Sequence, residues 1–125
     1  MVKKQILIVD GDITHTERLK RNLENEKYNV DAVYHGSEAL MVLKRKWVDL
    51  VISSITLQGA MNGIQLLQEL KEHKDYKKIP VIVQTSKANM EETINHLGAE
   101  LFVSKPYQMT DFITVSYTHL TLPTN

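Results

Sequence analysis

Apolar residues follow two rhythms along this chain. Ile6-Leu7-Ile8-Val9 is an unbroken run set between Lys3-Lys4 and Asp10-Gly11-Asp12, the pattern of a strand buried on both faces. Leu50-Val51-Ile52 is a second such run, and Ser53-Ser54 stand where that strand should end. Residues 29–34 alternate, with Val30, Ala32 and Tyr34 on one face and Val33 on the other. Residues 79–84 predict a fourth strand with Thr85 at its carboxyl end, and Leu101-Phe102-Val103 a fifth, ending at Ser104-Lys105-Pro106. Between these runs the spacing turns helical. Thr14-His15-Thr16-Glu17 matches a capping box and opens a helix to about Lys27, with Leu19 and Leu23 inward. Ser37 is the expected cap of a second helix carrying Ala39, Leu40, Leu43 and Trp47. Gly63 opens a third with Ile64, Leu67 and Leu70 on one stripe. Asn89 caps a fourth with Met90, Ile94 and Leu97 inward, and Gly98 stops it.

Strands alternating with helices imply an α/β fold with a parallel sheet and right-handed crossovers. Five strands in this length fit a flavodoxin-like, doubly wound sheet of order 2-1-3-4-5. Thr110-Asp111-Phe112-Ile113 begins a fifth helix, which is expected to be truncated. The segment from 115 to 125 has no helical stripe, and it resembles the conceptual translation of a sequencing-library adapter. The domain is therefore expected over residues 1–114, with a non-native tail over 115–125; a native extension is the alternative.

Composition narrows the function. Fifteen Lys and Arg balance fifteen Asp and Glu, which argues against a dedicated nucleic-acid or membrane-surface binder. The basic clusters at 44–46 and 74–78 read as solvated helix ends and loops. There is no cysteine, hence no disulfide framework or thiol chemistry. No signal peptide or membrane span is visible, and a cytoplasmic location is the expectation.

In an open α/β sheet, ligands bind outside the carboxyl ends of the strands. Those ends carry Asp10-Gly11-Asp12, Ser54, Thr85 and Lys105. Read in order, with Gly98-Ala99 before the fifth strand and Lys105-Pro106 after it, the set over residues 3–113 resembles the receiver domains of bacterial response regulators in two-component signalling. The resemblance implies two adjacent acids holding Mg²⁺, an Asp that accepts a phosphoryl group, a Thr and a Lys that contact the phosphoryl oxygens, and an aromatic switch residue. Asp10, Thr85, Lys105 and Phe102 match. Gly11 stands at the second acid and Ser54 at the acceptor. Gln58 replaces the usual Pro, and one extra residue precedes Gly63.

Phosphoryl transfer to a carboxylate gathers negative charges that a metal with oxygen ligands must offset. With one matching carboxylate, metal binding should be absent or a weak Mg²⁺ site at Asp10; whether Asp12 substitutes is left open. A Ser hydroxyl needs an activating base, and His15, His35, His73 and His96 read as ordinary polar residues, His15 facing solvent. The expectation is a pseudo-receiver: no enzyme, no catalytic residue, no cofactor, and a phosphorelay signalling role through protein contacts. Partners would be a histidine kinase or an output domain, met by residues 89–97, 101–103 and those after Pro106. Two alternatives remain: a working receiver with an unusual acceptor, and a small-molecule-binding flavodoxin-like domain. Gly11→Asp with Ser54→Asp is expected to restore phosphorylation better than Ser54→Asp alone.

Overall fold

The computed structural model describes residues 3–112. The chain order is β1 (Gln5–Val9), α1 (Ile13–Asn25), β2 (Asn29–Val33), α2 (Gly36–Arg45), β3 (Leu50–Ser54), α3 (Gly63–Glu72), β4 (Val81–Thr85), a 3-10 turn (Ala88–Met90), α4 (Glu91–His96) and β5 (Leu101–Ser104). A further helical turn covers residues 109–112. The expected tail and the truncation of the fifth helix lie outside the described residues.

All strand pairs are parallel, and the sheet order is β2-β1-β3-β4-β5, as the alternating pattern predicts. Strand side chains alternate between faces, so each run feeds two cores. Leu7, Val9, Val51, Val81 and Val83 pack with α2, α3 and α4 through Leu43, Leu67, Leu70 and Ile94. Ile6, Ile8, Leu50, Ile52 and Ile82 pack with Leu19 and Leu23 of α1 and with Phe112. By the same alternation Ser54 and Gln84, paired in register, share the α1 face, whereas Val83 and its partner Phe102 share the other. Phe102 is half-buried against the core under α2, α3 and α4.

Several expected boundaries move. The cap of α1 is Asp12 rather than Thr14, because the Asp12 carboxylate accepts from the His15 amide at 3.0 Å. His35, not Ser37, precedes α2. Gly63 does open α3, as expected, with Asn62 as its cap and Gln65 reaching back to the Asn62 amide. Met90 rather than Asn89 precedes α4. The buried stripe of α3 is Leu66, Leu67 and Leu70, and Ile64 lies at its margin. Trp47 is not on the inner face of α2. That helix ends at Arg45, Lys46 is fully extended, and Trp47 is 64% exposed with its indole N–H donating to Asp49. Gly98 does end the α4 segment, at φ +102.

Candidate functional site

Asp10 leaves the carboxyl end of β1 and is 1% exposed. A carboxylate so deep must be paired and hydrogen-bonded. Its Oδ2 accepts from Lys105 Nζ at 2.7 Å and from Gln84 Nε2 at 3.1 Å, and its Oδ1 accepts from the Asp12 amide at 3.0 Å. Lys105 comes from the end of β5, before a cis bond to Pro106, and its amide donates to Thr85 O at 2.8 Å. Gln84 comes from β4 and is wholly buried.

Gln84 is the residue that sequence reasoning passed over. The Asp10 carboxylate fixes which end of its amide is the donor, so Oε1 points the other way. There it accepts from the Tyr107 hydroxyl and meets His15 Nε2 at 3.1 Å. The single Tyr107 proton is thus spent on Gln84, and His15 Nε2, 2.8 Å from the Tyr107 oxygen, carries the proton of that contact. His15 is therefore not a free surface residue; it is half-buried, edge-on to the Tyr107 ring. Burial first, and then the Asp10 charge, push the Tyr107 hydroxyl well above the ordinary tyrosine range, with Arg18 acting the other way. The available signal was a lone amide at the end of the apolar run Val81-Ile82-Val83.

Gly11 and Gln58 belong to one arrangement. The segment after β3 folds back across the end of β1. The Gly11 amide donates to Thr56 O at 3.0 Å, the Gln58 amide to Tyr34 O at 2.8 Å, and Gln58 Nε2 to Gly11 O at 3.1 Å. Gly59 completes the turn at φ +84. A Cβ at position 11 would stand 2.9 Å from Thr56 O, and a proline at 58 would have no amide to donate. Gly11 is thus a place of close backbone approach. For Gly11→Asp to restore a metal ligand, the loop after β3 would have to shift away from the new Cβ.

Ser54 is 3% exposed, and its Oγ accepts from the Thr56 amide at 3.3 Å. Thr85 Oγ1 accepts from the Lys87 amide at 3.1 Å. Asp12 spends its carboxylate on the cap of α1. The structure therefore brings Asp10 and Lys105 into direct contact at the sheet's carboxyl edge, where β3 and β4 also end in Ser54 and Thr85. It turns Asp12 to a local task. The donor set does not fit Mg²⁺, which asks for a near-octahedral oxygen shell. One carboxylate is present, already holding three donors. Among the described residues no three His, Cys, Asp or Glu side chains cluster.

A five-stranded doubly wound sheet with an acidic residue after β1 and a Lys-Pro pair after β5 defines a receiver-type signalling domain. The response regulator receiver domain profile matches residues 6–116, and the chain belongs to that family. It is 33% identical over 117 residues to the two-component response regulator ARR21 of Arabidopsis thaliana, covering 92% of this chain and 19% of that protein. It is 36% identical over 108 residues to the response regulator GtcR of Aneurinibacillus migulanus, covering 85% of this chain and 43% of that protein. The chain thus spans less than half of these relatives. The receiver domain of a signal transduction histidine kinase from Syntrophus aciditrophicus superposes with TM-score 0.86 at 31% identity, covering 98% of this chain and 95% of that one.

Proposed function

We propose that this receiver domain signals by protein contact, without metal and without phosphorylation at the usual position. The observation that carries the reading is the commitment of Asp10: its carboxylate is held by Lys105, Gln84 and the Asp12 amide, and the adjacent strand β3 ends in Ser54 where the acceptor carboxylate belongs. Among the described residues the Ser54 hydroxyl has no hydrogen bond to a base: its Oγ accepts from the Thr56 amide, the Asp10 carboxylate is taken up by Lys105, Gln84 and the Asp12 amide, and His15 is turned to Tyr107 and Gln84. Lys105 already holds Asp10, so its ammonium makes an ion pair in place of the contact it would make to a phosphoryl group. The partner face is α4, β5 and the segment after Pro106, and a histidine kinase or an output domain is the class of partner. The test is incubation with acetyl phosphate and Mg²⁺ followed by intact-mass and peptide analysis. No adduct is expected; a phosphoryl group on Ser54 overturns the reading.

A further inference from the structure

A cavity of about 310 Å³ opens beside the site, lined by His15, Arg18, Ser86, Lys105, Pro106, Tyr107 and Met109. It shares Lys105 with the acidic pocket, but Asp10, Ser54 and Thr85 do not line it. Its chemistry is one-sided. Two cations and an imidazole face it, and no acidic side chain does. Lys105 is offset by Asp10. The Arg18 guanidinium makes no ion pair among the described residues. Among the described residues it is the lining cation without an ion-pair partner, and the Ser86 hydroxyl is a further donor in the lining. The rest of the lining is apolar: the Tyr107 ring, Pro106 and Met109. Tyr107 is held in place, stacked on Phe112 with centroids 4.6 Å apart and hydrogen-bonded to Gln84. The wall is thus preorganised rather than loose.

Ligand pockets combine an apolar lining with a few placed polar groups, and this volume lies at their lower end. At ~30 Å³ per water-sized volume it accommodates on the order of ten non-hydrogen atoms. We propose that this cavity binds a small organic acid: a carboxylate or phosphonate-type oxyanion held by Arg18 and Ser86, with a flat apolar body against Tyr107, Pro106 and Met109. The proposal goes beyond the signalling role and does not depend on whether Ser54 is phosphorylated. Because Tyr107 and Lys105 reach Gln84 and Asp10 directly, an occupant would report into the buried polar chain at the edge of the sheet.

The test is amide-resolved NMR titration of the full chain with benzoate, phenylphosphonate, inorganic phosphate and benzyl alcohol at constant ionic strength. Saturable shifts centred on residues 15, 18, 86 and 105–109 are expected for at least one of the two aromatic acids. Benzyl alcohol should give none, and inorganic phosphate should bind more weakly for want of the apolar body. Arg18→Gln, an exposed change, should leave the fold's spectrum intact and raise Kd about tenfold or more through loss of a charge-assisted contact. Benzyl alcohol binding as tightly as the acids overturns the proposal. So do phosphate binding as tightly, shifts centred elsewhere, no saturation by either acid in the millimolar range, or an unchanged Kd in Arg18→Gln.

Discussion

Asp10 and Lys105 form a pair with unequal burial: 2% exposure for the acid side chain and 19% for the lysine. Removing the lysine leaves a buried, uncompensated charge, which is far costlier than removing both charges. Lys105→Met should cost about 3 kcal/mol of unfolding free energy. Adding Asp10→Asn to it should recover part of that loss, even though Gln84 then faces an amide. Urea unfolding of the two single variants and the double variant forms the cycle; a double variant that loses the sum of both single effects would show the two charges to be independent. Tyr107 gives a pH signature. Its hydroxyl titrates higher when folded than when unfolded, so its contribution is whole below the unfolded value of about 10 and is lost as pH rises beyond it. Tyr34, which donates to Glu17, is shifted in the same direction, but at the surface, where screening weakens it. Stability measured between pH 8 and 11 should therefore fall less steeply above pH ~10 in Tyr107→Phe than in the parent, with Tyr34→Phe close to the parent.

Strands were readable from the chain because unbroken apolar runs bounded by charges have few other homes, and β1 and β3 follow that rule. Helix interiors were readable from Leu19, Leu23, Leu43, Leu67 and Leu70 for the same reason. Helix ends were not. A cap is decided by which short side chain reaches a free amide, and Asp12 outcompetes Thr14 by geometry that spacing alone does not encode. Trp47 misled because helical periodicity was extended two residues past the real end of α2. The polar chain from Asp10 to His15 was hidden because its contacts join residues 69, 74 and 92 positions apart. Gly11 after β1 and Gln58 after β3 stood as two separate clues, and their common cause is visible only once the loop after β3 is seen lying on the end of β1. This predicts that Gln58→Pro, losing the amide bond to Tyr34 and the side-chain bond to Gly11, should cost about 1–3 kcal/mol. Gly11→Ala should be destabilising as well, since its Cβ meets backbone rather than a flexible side chain. Thermal unfolding of both variants checks this; parent-like stability in both would mean that the loop lifts off without cost.

Across the domain, four segments that are remote in sequence deliver their ends to one edge of the sheet, and both cores serve that placement. Phe112 closes the α1-side core and stacks on Tyr107, so the helical turn at 109–112 also fixes one wall of the site. A site assembled this way cannot be rebuilt one residue at a time. Ser54→Asp adds a second buried carboxylate near Asp10 with only Lys105 to offset it, so it should lower stability and accept little phosphoryl group. Adding Gly11→Asp supplies the second acid of a Mg²⁺ site. However, its Cβ would stand 2.9 Å from Thr56 O and 3.2 Å from the Leu57 carbonyl carbon, so the loop must leave β1 first. The expected order is therefore little labelling by acetyl phosphate in Ser54→Asp and little more in the double variant. Labelling should be clear only when Gln58→Pro and deletion of Gly59 also shorten the loop by one residue and remove the amide that ties it to Tyr34. In that combined variant Mg²⁺ should raise the unfolding temperature, because a ligand of the folded state alone stabilises it by mass action. Labelling of the double variant as strong as that of the combined variant would show that the loop yields readily and that the missing acids alone silence the site.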